Sequence, residues 1–263
     1  MKFHKIKIIL IFILIIIAIQ SCQLSDVEKS KDSTENSDVT VIPVISSTLK
    51  IWTVGDSITL GTNNGYRNRI WTALTEAGNT IDFIGTQVHK YPKINICPDA
   101  DHDGYSGNTI GDITAKIDDL YQAVNPSTPD VLLIMLGTND LAWWVSGTDF
   151  VDNCDERMME LVDHIFEMDS EMSIIVGTIP PMSYEKIANP DIDRAVFAAQ
   201  YSNAIISKVK NHNLFGTRLF IADINSALTV NDLYDGIHPT EEGYDKTGDA
   251  WVKALTVYMN ANN

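Results

Sequence analysis

Near the carboxyl end of the sequence a carboxylate and an imidazole stand three residues apart, in Asp235-Gly236-Ile237-His238-Pro239. At that spacing the carboxylate can hold the imidazole in one tautomer and stabilise the imidazolium, which equips the ring to act as a general base. A base needs a proton to take. Gly55-Asp56-Ser57-Ile58-Thr59 offers a serine directly after an apolar, strand-like run from Leu49 to Val54. A serine hydroxyl is a poor nucleophile at neutral pH and attacks a carbonyl only when a base removes its proton, so Ser57, His238 and Asp235 together would make nucleophile, base and acid. Two more blocks lie between them, Gly104-Tyr105-Ser106-Gly107 and Gly137-Thr138-Asn139-Asp140. Each block alone has a plainer reading. Gly-Asp-Ser is an ordinary turn, Asp140 could cap a helix after a strand, and Asp-Gly is a turn pair. Their order and placement are what single them out.

The placement comes from the surrounding elements. Five short apolar runs, Leu49 to Val54, Ile81 to Ile84, Val131 to Leu136, Ser173 to Val176 and Leu219 to Ala222, alternate with longer segments of helical character. That alternation predicts an α/β fold with a parallel sheet covered by helices on both faces. Val131 to Leu136 is continuously apolar, as a strand buried on both sides must be, and should form the middle of the sheet. Helices are predicted at about Gly65 to Glu76, Thr109 to Ala123, Asp149 to Met168, Asp193 to Asn211 and Thr240 to Tyr258, the last with Thr240 as N-cap. Open parallel sheets bind ligands at the carboxyl ends of their strands. Ser57 follows the first run, Asn139 the third, and His238 lies in the loop after the fifth, so all three converge on one edge.

In this order the four blocks resemble the SGNH (GDSL-type) hydrolases, a family of serine esterases and lipases. The Gly-x-Ser-x-Gly elbow of the α/β-hydrolases is absent. The resemblance implies a three-layer α/β/α, flavodoxin-like fold with a parallel five-stranded sheet. It implies Ser57 as nucleophile, Asp235 as acid and His238 as base, and an oxyanion hole built from the backbone N–H of Ser57, the backbone N–H of Gly107 and the side-chain amide of Asn139. A glycine suits that role because its amide can meet a substrate with no side chain between. The likeness runs from about Leu49 to Tyr258. Gly65-Tyr66-Arg67, Ile81 to Thr86, Asp101 to Gly107 and Asp232 to Gly236 resemble carbohydrate esterase family 3, the SGNH acetylxylan esterases, with Asp103 where that pattern often has Glu. The implied reaction is removal of O-acetyl groups from xylan or a related plant polysaccharide, without a cofactor. Trp143 and Trp144 follow the asparagine block closely enough to stack on a sugar, or one of them could belong to the core. Tyr66 and Arg67 are read as structural, with Arg67 paired to an acid, and His102 as a loop contact rather than a second base. Two rivals are a long-chain lipase or lysophospholipase and a non-catalytic carbohydrate-binding lipoprotein. The polar loop from Tyr91 to Asn108 disfavours the first, and the intact set of site residues disfavours the second.

The remaining sequence sets the context. Met1 to Lys7 is basic and Ile8 to Ile19 is apolar over about a dozen residues, a secretory signal rather than a membrane span of ~20 residues. Ile19-Gln20-Ser21-Cys22 resembles a bacterial lipobox, which makes residues 1–21 the signal peptide and Cys22 the lipidated residue of an exported, membrane-anchored protein. Residues 22–47 are polar and read as a disordered tether. Residues 48–263 then form one catalytic domain, expected to be a monomer. The formal charge is −16. Loss of Lys2, Lys5 and Lys7 leaves 16 basic against 35 acidic residues, which excludes nucleic acid and other phosphate-rich partners and suits a neutral substrate. Cys97 and Cys154 could form a disulfide or remain two thiols. No Cys or His spacing suggests a metal.

Overall fold

A computed structural model describes residues 41–91, 96–142, 153–183 and 194–262. Residues 1–21, read above as a signal peptide, and Cys22, Trp143 and Trp144 lie outside the described residues. In chain order the elements are β1 (Leu49–Gly55), α1 (Ser57–Leu60), α2 (Arg67–Glu76), β2 (Ile81–Ile84), β3 (Gln87–Val88), β4 (Asp101–Gly104), α3 (Ile110–Thr114) and α4 (Ile117–Val124). They continue with β5 (Val131–Met135), α5 (Thr138–Ala142), α6 (Cys154–Met168), β6 (Ser173–Gly177), α7 (Arg194–Asn211), β7 (Leu219–Ala222), α8 (Ile224–Ala227) and α9 (Glu241–Ala261).

Every residue of β5 and β6 is buried, so these apolar runs can only sit inside a sheet covered on both faces. β1 pairs parallel with β5, β5 with β6 and β6 with β7. On its other edge β1 is served by two strands in succession. β2 runs beside Leu49 to Trp52, and β4 takes over at Val54 and Gly55. All five predicted strands are present, β5 is the middle one, and helices flank the sheet as expected of the class. The described sheet is wider than the five strands, however. β4 adds a sixth, parallel strand, and β3 pairs antiparallel with it. The added strand continues the pairing of β1 just where its carboxyl end must be held beside the site.

The helices follow local signals. Thr240 caps α9 by accepting from the Gly243 N–H at 3.1 Å, and Glu241 and Glu242 occupy the first turn, where the helix dipole favours negative charge. Thr109 and Asp112 form a reciprocal capping box at the start of α3. The single helix expected from Thr109 to Ala123 is two. Lys116, at φ −124°, leaves the helical region, and its ammonium sits 4.4 Å from the Tyr105 ring centroid. Val41 to Ser47 lie along the domain rather than beside it, with Ile42 and Ile45 packed on the core. Asn79 holds this stretch, accepting from the Ile45 N–H at 2.9 Å and donating to the Pro43 carbonyl at 3.0 Å. Cys97 and Cys154 are both buried and no disulfide joins them, so of the two alternatives the structure has the pair of thiols.

Candidate active site

β1 ends at Gly55, and Asp56 turns the chain into α1 by accepting from the Ile58 N–H at 2.8 Å, which puts Ser57 at the first helical position. From the opposite side of the sheet's carboxyl edge comes the loop after α8. Its turn is wound around one carboxylate, for Asp235 Oδ1 accepts from the N–H groups of Ile237 at 3.0 Å and His238 at 2.7 Å. Gly236 has φ +85°, and a Cβ there would lie 2.5 Å from the Ser183 carbonyl oxygen, so only glycine fits. The result is a continuous chain of short hydrogen bonds. His238 Nδ1 is 2.7 Å from Asp235 Oδ2, and His238 Nε2 is 2.8 Å from Ser57 Oγ. An ionised carboxylate only accepts, so Nδ1 carries the proton and Nε2 is left bare to accept the serine O–H. Burial pushes the Asp235 carboxyl upward, but the bonds from His238 and Ile237 and the imidazole charge outweigh it, holding the group below the usual carboxylate range.

Sequence suggests three donors for this serine's reaction, Ser57, Gly107 and Asn139. The backbone N–H groups of Ser57 and Gly107 make no hydrogen bond among the described residues. Gly107 has φ +80° and, among the described residues, no atom within 4 Å of where a Cβ would stand. Its glycine is therefore required by backbone conformation. Asn139, at the start of α5, is buried, and its Nδ2 donates to the Asn108 carbonyl at 2.9 Å while lying 3.5 Å from Asp56 Oδ2. The amide is thus tied to the residue before Ser57 and the residue after Gly107. Trp143 and Trp144 lie outside the described residues.

Asp56 is more than the middle letter of a motif. Burial drives its carboxyl up to about 6, against the Ile58 N–H and the charge of His238, which pull it down. A group whose folded pKa is raised gives stability that is fully present below the unfolded pKa and is lost as pH rises through the folded one. Ionised Asp56 should then cost on the order of 3 kcal/mol above pH 7. Asp56→Asn is expected to gain stability over the parent in urea unfolding at pH 8 relative to pH 4.5. A gap between the two proteins that does not change with pH would refute this.

Three further residues have roles that differ from, or sharpen, their sequence reading. Arg67 is fully buried and, among the described residues, forms no ion pair with an acid. Its guanidinium donates to the carbonyls of Thr59 and Leu60 instead, closing the last turn of α1 behind the serine. His102 accepts from the Gly104 N–H at 3.0 Å through Nδ1, and burial with the nearby Arg67 charge pushes its pKa down to about 3, so its ring is a neutral structural acceptor. Asp103 gathers Trp52 Nε1 at 2.7 Å, the Thr86 hydroxyl at 2.5 Å and the Tyr105 hydroxyl at 3.0 Å, which fastens β4 to β1. None of these partners is legible from sequence. Asp56 alone had a signal, as an N-cap type directly ahead of a helical turn. Among the described residues no group of three or more His, Cys, Asp or Glu is placed to hold a metal ion.

A mostly parallel sheet flanked by helices, with a serine, a histidine and an aspartate joined at its carboxyl edge, is the architecture of an SGNH-type ester hydrolase. The chain belongs to the GDSL-like Lipase/Acylhydrolase family, whose profile matches residues 53–246. It is 30% identical over 241 residues to the "Multidomain esterase" of Ruminococcus flavefaciens, an alignment covering 83% of this chain and 30% of that protein, so the chain spans less than a third of that relative's length. Its structure is similar to that of a family 3 carbohydrate esterase from Clostridium thermocellum, with a TM-score of 0.65 and 28% identity over 82% of this chain and 99% of the other. A family 3 carbohydrate esterase from Talaromyces cellulolyticus shares the fold at a TM-score of 0.63 and 23% identity, covering 79% of this chain and 96% of the other.

Proposed function

We propose that the protein is an exported serine esterase that removes O-acetyl groups from xylan or a related plant polysaccharide. The observation that carries this reading is the chain of hydrogen bonds from Ser57 through His238 to Asp235, in a fold similar to a family 3 carbohydrate esterase. Ser57 Oγ attacks the acetyl carbonyl as His238 Nε2 takes its proton, and Asp235 stabilises the imidazolium. The charge that develops on the carbonyl oxygen is met by the N–H groups of Ser57 and Gly107 and by the Asn139 amide. His238 then protonates the departing sugar oxygen, and water deacylates the enzyme by the same route in reverse. Every step uses side-chain and backbone groups of this chain and one water, with no cofactor. Asn139→Ala is expected to lower kcat about 10²- to 10³-fold with a smaller change in KM, measured on p-nitrophenyl acetate. Equal activity would remove Asn139 from the oxyanion hole.

The test of the substrate is acetate release from acetylated xylan beside hydrolysis of short and long p-nitrophenyl esters. Release of acetate with a sharp preference for the two-carbon ester supports the polysaccharide reading. Preference for long acyl chains would replace it with a lipase, and no turnover at all with a binding protein. Export and anchoring are supported by the basic and apolar segments ahead of Cys22. Cys22→Ala is expected to move the protein from the membrane to the soluble fraction of a bacterial host, and unchanged partitioning would exclude a lipid anchor at that residue.

A further inference from the structure

Asp140 is wholly buried, and no step of the reaction above uses it. By its place in the sequence it would cap the helix after its own strand. It serves another helix instead, for its Oδ2 accepts at 3.0 Å from the N–H of Ile110, the first residue of α3. Its second oxygen, Oδ1, stands 3.1 Å from Nη2 of Arg157 on α6, a contact of charges without hydrogen-bond geometry. Burial raises the carboxyl above the usual range, while the Ile110 N–H and the Arg157 charge pull it down.

We propose that Asp140 is a positioning residue of the oxyanion hole, holding the turn that carries Gly107 in place beside Asn139; the assignment rests on the esterase reading above. The turn runs from Tyr105 to Asn108, closed by the Asn108 N–H donating to the Tyr105 carbonyl at 3.1 Å. Gly107 is its third residue, with the positive φ that a type II turn requires there. The entry to the turn is pinned to the serine's own strand, since the Tyr105 N–H donates to the Gly55 carbonyl at 2.9 Å. The exit is gripped by two consecutive residues of α5. Asn139 Nδ2 donates to the Asn108 carbonyl at 2.9 Å, and Asp140 accepts from Ile110 two residues further on. The two grips do different work. The Asn139 amide has two hydrogens, one on Asn108 and the other held only loosely by Asp56 at 3.5 Å, which leaves the second for the oxyanion. Were that amide the sole tie, any shift of the turn would displace a donor to the reaction as well. Asp140 does no chemistry, is backed by Arg157, and grips Ile110 through a charge-assisted bond. Donors displaced from the developing charge cost rate in the transition state and leave ground-state binding nearly untouched.

The experiment combines kinetics on p-nitrophenyl acetate with amide hydrogen exchange. Asp140→Ala is expected to lower kcat about tenfold or more with KM within about twofold, and to speed exchange of the Ile110 N–H about tenfold or more while β5 is unchanged. Asp140→Asn keeps an oxygen for Ile110 and should hold kcat within about threefold of the parent. In an Asn139→Ala background, Asp140→Ala should cost less than about threefold, because the larger part of what it positions is already gone; a general folding defect would carry over in full. Arg157 is 28% exposed and can turn to water when its partner is removed. Ile110→Pro deletes the N–H from the other side of the bond and leaves Asp140 in place. Proline suits a first helical position, and Thr109 ahead of it is already extended at φ −90° and ψ 174°, so this variant should match Asp140→Ala in kcat. An Asp140→Asn protein as slow as Asp140→Ala would give the role to the Arg157 contact and overturn the proposal. So would losses that multiply in full with Asn139→Ala, or an Ile110→Pro protein with parent kcat. The two readings fail separately. Unchanged Ile110 exchange in an Asp140→Ala protein removes the grip and keeps the esterase. A parent protein that hydrolyses no ester removes the esterase, and the oxyanion role with it, even where Ile110 exchange depends on Asp140.

Discussion

Ser57→Ala is expected to lower kcat on any ester the protein hydrolyses by about 10⁴-fold or more, while the melting temperature stays close to that of the parent. The size of the loss follows from the lack of a substitute. The hydroxyl is the group bonded to His238 Nε2, at 2.8 Å, and among the described residues no other hydroxyl bonds that nitrogen. The fold should tolerate the change because Ser57 is half-buried and its capping geometry is supplied by Asp56 and by the backbone. Water can satisfy the vacated Nε2. Some rate above the uncatalysed reaction should survive, since the donors of Ser57, Gly107 and Asn139 do not depend on the hydroxyl. His238→Ala should be about as damaging, because nucleophile and base act as a unit and their losses do not add. The measurement is kcat on p-nitrophenyl acetate with a melting curve for each variant. A folded Ser57→Ala protein with parent activity would dismiss Ser57 as the nucleophile.

What the sequence disclosed and what it hid divide along a physical line. Buried strands announce themselves by composition, so Val131 to Met135 and Leu49 to Val54 were legible as strands, and with them the edge on which Ser57 and Asn139 fall. Asp235 and His238 were legible because a three-residue separation lets a single turn set their geometry. β4 was not, since Asp-His-Asp-Gly has no strand propensity; it is extended because Asp103 is bonded to Trp52 and Thr86, and the carboxyl end of β1 lacks another neighbour on that edge. Arg67 was misread for a similar reason. Its type suggests a carboxylate partner, but among the described residues its guanidinium bonds to carbonyls at the end of α1. Tyr234 gave no sign at all in sequence, because a tyrosine beside an Asp-Gly turn is as readily core as cleft, and only the folded loop lays its ring on the imidazole.

The second large effect is expected from Asp235→Asn, which should lower kcat about 10⁴-fold with little change in KM. The substitution is nearly isosteric, and an asparagine oxygen can still accept the two N–H bonds, from Ile237 and His238, that wind the turn. The amide nitrogen then faces His238 Nδ1 in place of Asp235 Oδ2, now 2.7 Å away. Two donors cannot share that contact, so the imidazole must present a bare Nδ1 to the amide and carry its proton on Nε2. That tautomer offers Ser57 a donor where the reaction needs an acceptor. The carboxylate also leaves a mark on stability that separates it from the base. Its folded pKa is depressed, so its contribution is in force above the unfolded carboxylate range and fades as pH falls through the folded value. The D235N protein should therefore melt below the parent at pH 8, with the gap closing toward pH 3. A variant that kept more than about a tenth of the parent kcat would show that His238 needs no acceptor at Nδ1, and the pairing seen in the turn would be structural alone.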